Sequence, residues 1–176
     1  MKTMMRTLFL ATCVGVAAVA VSGMAYADTV AHKDASFMKD AAEAGNMEVE
    51  GSRLALNKAA SADVKSFAQQ IIDDHTKAGQ ELAALASSKG VKLPEGPSIT
   101  QKAKLKILGT HEGAKFDASY AETVGIKAHE DAVKLFTKAS NDAKDPDVKA
   151  FAAKTLPTLQ HHLEMARELQ TKTGKS

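Results

Sequence analysis

Glu48, His75, His129 and His162 fall one apiece on four amphipathic segments, each on or beside a stripe that is otherwise apolar. An ionisable group in a protein core has to be hydrogen-bonded, paired with an opposite charge or bound to metal, because burying it alone is costly or forces its pKa to move. Three neutral imidazoles and one carboxylate form a borderline ligand set. It suits Zn²⁺, Fe²⁺, Cu²⁺ or Ni²⁺ better than Mg²⁺ or Ca²⁺. One ion is the natural count, since a di-iron carboxylate bundle takes Glu-x-x-His from each of two helices, and here the residues three before His75 and His162 are Ile72 and Leu159. Asp74, at the edge of the stripe that carries His75, is a candidate for orienting an imidazole from outside the ligand set. Two other readings stay open: a polar network in which His75 pairs with Glu48 and fixes helix register, as in a non-catalytic envelope protein, or a pocket for some other small ligand.

Other chemistry finds little support. His161 and Met165, one turn apart, form a soft pair suited to Cu⁺, but the only other methionines after residue 27 are Met38 and Met47, far away in the chain. The single cysteine, Cys13, lies in an N-terminal apolar stretch, so thiol chemistry and disulfides are excluded from the rest. There is no Gly-rich phosphate loop and no nucleophile elbow. No reaction can be assigned, and a binding role is favoured over an enzymatic one.

The elements that position these residues follow from helical periodicity, with no strand-like alternation. A first helix from about Asp34 to Ala60 places Phe37, Ala41, Ala44, Gly51 and Ala55 on one face, with Glu48 among them. Ser61 is a good N-cap for a second helix ending at Gly90, whose stripe Val64, Phe67, Ile71, His75, Leu82 is apolar except for the histidine. Residues 91–110 read as a crossover holding a short piece, Ser98 to Leu108, with Ser98 and Gln101 spaced as a capping box and Gly109 as the stop. A third helix from about Thr110 to Ser140 carries His129 at the edge of its inner stripe. Asp145-Pro146-Asp147 opens the fourth, with His162 inside, His161 outside and a kink expected at Pro157.

Asp63-Val64-Lys65-Ser66-Phe67-Ala68 recurs as Asp147-Val148-Lys149-Ala150-Phe151-Ala152, which suggests two related helical hairpins. Short links within hairpins and a long one between helices two and three fit an all-α, ferritin-like four-helix bundle. Counting from the hairpin links, Glu48 lies 13 residues before Ser61 and His75 14 after it, so the two should face each other. His129 and His162 are offset by 5 residues on the same count, or about 8 Å.

Residues 1–27 read as a signal peptide: Lys2 and Arg6, an apolar run from Leu8 to Val21, and Ala25-Tyr26-Ala27 before the cut. The remainder, 28–176, is expected to be one exported domain, periplasmic or secreted, with no membrane span. Without Lys2 and Arg6 it carries equal numbers of acidic and basic residues, no Trp and only Tyr120 as tyrosine. That argues against nucleic-acid binding, and the lysines at 102, 104 and 106 read as a solvated face.

Glu48-Val49, Leu54-Ala55, Val64-Lys65 with Phe67-Ala68, Asp74-His75, Phe116-Asp117 with Tyr120, His129, and Leu156-Pro157 with His162-Leu163 together resemble the DUF4142 family. The resemblance spans nearly all of residues 28–176. It implies an exported bacterial protein with a ferritin-like helical bundle and no established biochemical role. Gly51-Ser52 departs from the pattern, where the family more often has an apolar residue followed by Gly.

Overall fold

In the computed structural model, which describes residues 30–174, six α-helices and one π-helical segment account for nearly all the backbone. The expected signal peptide, its cleavage point and Cys13 lie outside the described residues. Helix α1 (His32–Lys58) and α2 (Ala62–Ser88) form one hairpin, and a short α3 (Ile99–Leu108) crosses over. The second hairpin pairs a composite helix with α6 (Pro146–Thr173). The composite runs as α4 (Gly113–Tyr120), a π segment (Ala121–Ala128) and α5 (His129–Asp142). Among the described residues there is no strand, and no helix is long and apolar enough to cross a membrane.

The ends form where side chains satisfy the orphan backbone groups of helix termini. Ser61 Oγ accepts the Val64 N–H, Ser98 and Gln101 close a capping box, and Asp145 Oδ1 accepts from the backbone of Asp147 and Val148 ahead of Pro146. Helix α6 runs unbroken through Pro157, whose ring lies on the exposed face, where the freed carbonyl can meet water. The third predicted helix is the one that differs. It starts at Gly113, itself at positive φ (58°), and changes to π geometry at Ala121. A π turn closes i→i+5 bonds and so takes up extra residues, rotating whatever follows about the helix axis.

Two buried carboxylates tie the hairpins together. Asp117, on α4, accepts the N–H groups of Ala60 (3.1 Å) and Ser61 (2.9 Å) in the α1–α2 turn. Asp34, on α1, accepts those of Lys144 (2.9 Å) and Asp145 (2.7 Å) in the α5–α6 turn. Each hairpin thus clamps the other's turn with charge-assisted bonds. The clamps sit in a second sequence repeat, Asp34-Ala35-Ser36-Phe37 and Asp117-Ala118-Ser119-Tyr120.

The core lies in two clusters on either side of the polar residues. One is built on Phe67, Ile71, Phe116, Tyr120 and Val124, the other on Phe37, Met38, Leu82, Phe136 and Phe151. At Gly51 a Cβ would come within 2.7 Å of Val124 and 3.1 Å of Leu105, so only glycine lets α1 approach both α3 and the π segment. Ser52, beside it, reaches the Tyr120 hydroxyl at 2.7 Å in a buried contact. The Gly51-Ser52 departure therefore has a packing role. Gly125 serves likewise, since its Cβ would lie 2.9 Å from that of Ala166 on α6.

Candidate metal centre

All four polar residues of the stripes are buried, and they meet between the two core clusters: Glu48 from α1, His75 from α2, His129 from the first residue of α5, and His162 from α6. Glu48 Oε2 lies 2.9 Å from His75 Nδ1, as counting from the first hairpin link anticipates. The offset expected for the other pair is absent, since the His129 and His162 ring centroids are 5.4 Å apart. His129 lies 13 residues before the end of α5 and His162 16 after the start of α6. At 1.5 Å per residue that leaves only about 4.5 Å to be made up by side-chain reach. His129 is not at the stripe's edge: it is fully buried in line with Ala132, Phe136 and Ala139 of α5, and the π segment before it offers the Val124 carbonyl, 3.0 Å from Nδ1.

Each histidine has one nitrogen held from behind. Nδ1 of His75 donates to Glu48 Oε2, Nε2 of His162 donates to Asp74 Oδ2 at 2.9 Å, and Nδ1 of His129 donates to Val124 O. Asp74 therefore orients the histidine of α6 and not its own neighbour His75. The nitrogens left over are His75 Nε2, His162 Nδ1 and His129 Nε2. The first two are 3.3 Å apart, and the third has no hydrogen-bond partner. One ligand atom from each of the three histidines lies within 4.8 Å of the others. Glu48, expected as a fourth ligand, has no atom in that group; it sits behind His75, with Oε1 3.5 Å from His129 Nδ1 and without a hydrogen-bond donor.

The spacing can be set against what an ion requires. Two nitrogens about 2.05 Å from one ion at the tetrahedral angle lie about 3.3 Å apart, and their ring centroids about 5.2 Å apart, rising to about 5.5 Å in a trigonal plane. The three ring centroids form a nearly equilateral triangle of 5.3, 5.4 and 5.4 Å. Without an ion, His75 Nε2–H donates to His162 Nδ1, completing the chain Glu48–His75–His162–Asp74. An ion held here would replace that one proton and take the lone pair of His129 Nε2, which has no partner.

The electrostatics agree with that proton inventory. Burial alone would push Glu48 up, but the charges of His75 and His129 and the hydrogen bond from His75 hold it below the usual carboxylate range. Burial likewise opposes charge on His75, yet Glu48 outweighs it and raises the imidazole, giving an ion pair. His129 is pushed down by burial, only partly offset by Glu48. His162 falls to about 4, again chiefly through burial, which its bond to Asp74 does not overcome. Two of the three imidazoles are thus neutral and ready to ligate near neutral pH. Nearby, burial raises the phenol of Tyr120 well above its ordinary value. His161 is exposed on α6, and His111 bonds Ser119 at 2.8 Å, away from the centre.

The residues that sequence reasoning missed are Val124, which contributes only a carbonyl, and the clamps Asp34 and Asp117, whose signal was the short Asp-Ala-Ser-aromatic repeat. No curated protein is matched by the chain. Its fold is similar to that of a solved structure described as a DUF305 fragment from Deinococcus radiodurans, with a TM-score of 0.71 and 16% identity over 84% of this chain and 99% of that one. Residues 19–169 match the family described as "Domain of unknown function (DUF4142)", and the chain belongs to that family.

Proposed function

We propose that this chain is an exported, ferritin-like helical-bundle protein that binds one transition-metal ion through His75, His129 and His162, as a binding or redox-protective module. The observation that carries the reading is the set of three nitrogens left over after every outer nitrogen has found its acceptor, in a triangle of ring centroids sized for a single ion. An acceptor behind each imidazole is the arrangement that fixes tautomer and raises basicity in metal sites. Glu48, Asp74 and the Val124 carbonyl take that part, so Glu48 orients His75 and does not itself ligate. Three neutral nitrogen ligands favour Cu²⁺, Zn²⁺ or Ni²⁺ over harder ions, with Fe²⁺ weaker in the general affinity order.

The test is metal analysis and titration calorimetry on chain purified without a histidine tag, after chelation and reloading with Zn²⁺ or Cu²⁺. One equivalent of ion is expected in the parent and none in His162→Ala. Absence of stoichiometric binding under both loadings defeats the proposal and leaves the cluster as a polar network that fixes how the two hairpins dock.

A further inference from the structure

A cleft of about 640 Å³ opens between α1 and α2 and runs under the loop at Leu93–Glu95 to Phe136 and Leu159. That volume is typical of small-molecule sites, roughly 300–1,000 Å³. His75 lines it together with Glu48 and Asp74, while His129 and His162 do not, so the cleft borders the histidine centre on one side. Its charge is mostly negative: the carboxylates of Glu48, Glu50, Asp74 and Glu95 line it against the Arg53 guanidinium and the His75 imidazole, which is already paired with Glu48. Glu50 and Glu95 take part in no ion pair among the described residues. Glu48 is 1% exposed, and its Oε1 has no donor.

A buried carboxylate oxygen without a donor is costly, and a cationic N–H group relieves that cost most effectively. A hydrated metal ion would leave the apolar wall of Ala41, Leu82, Phe136 and Leu159 uncovered, while an anion would face four carboxylates. We infer that the cleft binds a primary alkylammonium ion, its ammonium donating to the unpartnered Glu48 Oε1 and its methylene chain lying along the apolar wall. The inference does not depend on metal in the histidine centre.

Calorimetric titration of n-hexylamine into the purified chain in EDTA tests it, with hexanol, hexanoate and ammonium chloride as controls. Saturable one-to-one binding of hexylamine is expected, at least about tenfold tighter than hexanol or ammonium, with no binding of hexanoate. Glu48→Gln should weaken it by about tenfold or more through loss of an ionic hydrogen bond. Gly79→Leu gives a second readout. A Cβ at Gly79, on the cleft wall, meets nothing within 4 Å, and leucine favours a helix over glycine, so the variant folds while filling the mouth. It should abolish hexylamine binding and keep the parent's thermal unfolding midpoint or raise it. Hexylamine binding no tighter than hexanol, equal binding of hexanoate, or undiminished binding in Gly79→Leu would each overturn the inference.

Discussion

Replacing His129 with leucine separates a metal centre from a polar network, because the two assign the side chain opposite values. In the ion-free protein His129 makes one hydrogen bond, Nδ1 to Val124 O, and buries one nitrogen, Nε2, with no partner. Losing the bond costs about 1 kcal/mol, and removing the unsatisfied nitrogen returns about 1 to 3 kcal/mol. Leucine is of similar size and meets the same apolar neighbours, among them Phe67, whose ring centroid is 6.5 Å from that of His129. The variant in EDTA should therefore unfold within about 4 °C of the parent, or above it, given about 2–4 °C per kcal/mol for a chain of this size. With an ion the order reverses. The parent, at an ion concentration one hundred times its Kd, should gain about 2.7 kcal/mol, or roughly 5–10 °C, whereas the variant lacks one of three ligands and should gain little. Thermal unfolding by circular dichroism in EDTA and in excess Zn²⁺, on both proteins, reads all four values. A Zn²⁺ shift of equal size in the variant would place the ion elsewhere. No shift in the parent, with a large loss in the variant, would make the cluster a structural network.

The other predictions concern what surrounds the centre. Glu48→Gln and Asp74→Asn should each lower metal affinity about 10–100-fold while leaving one equivalent bound, since they act on ligand orientation and basicity; competition against a chromogenic chelator measures this, and complete loss of stoichiometry would make either residue a ligand. Asp117→Ala should cost about 3 kcal/mol in urea unfolding, and Asp34→Ala about as much, because each strands two turn N–H groups that now bond a buried carboxylate; a loss below about 0.5 kcal/mol would show that water replaces the clamp. In the ion-free protein, His162 has a folded pKa of about 4 against an ordinary 6.5. The unfolded chain therefore binds more protons between those values, and stability present above pH 6.5 is lost as pH falls toward 4. His162 alone accounts for on the order of 3 kcal/mol of that loss. His129, also depressed, adds to it, and the gain from raised His75 is already complete at pH 6.5. Stability in EDTA that is flat or rising on acidification through this window would contradict the buried neutral imidazole.

Much of the architecture was legible because it rests on local rules. Ser61, the Ser98–Gln101 box and Asp145-Pro146 announce helix starts through groups within three residues of one another. Counting from the first hairpin link sets Glu48 opposite His75 because α1 and α2 are regular helices about one turn. The same count overstates the offset of His129 and His162 because it rests on where the helices end: α5 runs to Asp142 and α6 starts at Pro146, so 13 and 16 residues separate the two from their helix ends. Nothing in Ala121–Ala128 signals the π geometry by propensity alone. Close tertiary contacts surround it: Gly125 against Ala166, and Val124 against the bare backbone of Gly51.

The π geometry bears on the site itself. A π turn weakens the regular ladder of helix bonds and persists where something else is gained, often at functional positions. Here the gain is specific to one side chain. The segment ends just before His129 and supplies a carbonyl to Nδ1, which leaves Nε2 as the free nitrogen. A network built only for stability has no use for that outcome, since it leaves a buried nitrogen unsatisfied. A site that needs a third nitrogen at this depth does. The irregular backbone, the carbonyl behind the ring and the partnerless lone pair are three observations on one residue, and the proposed metal ligation would account for all of them together.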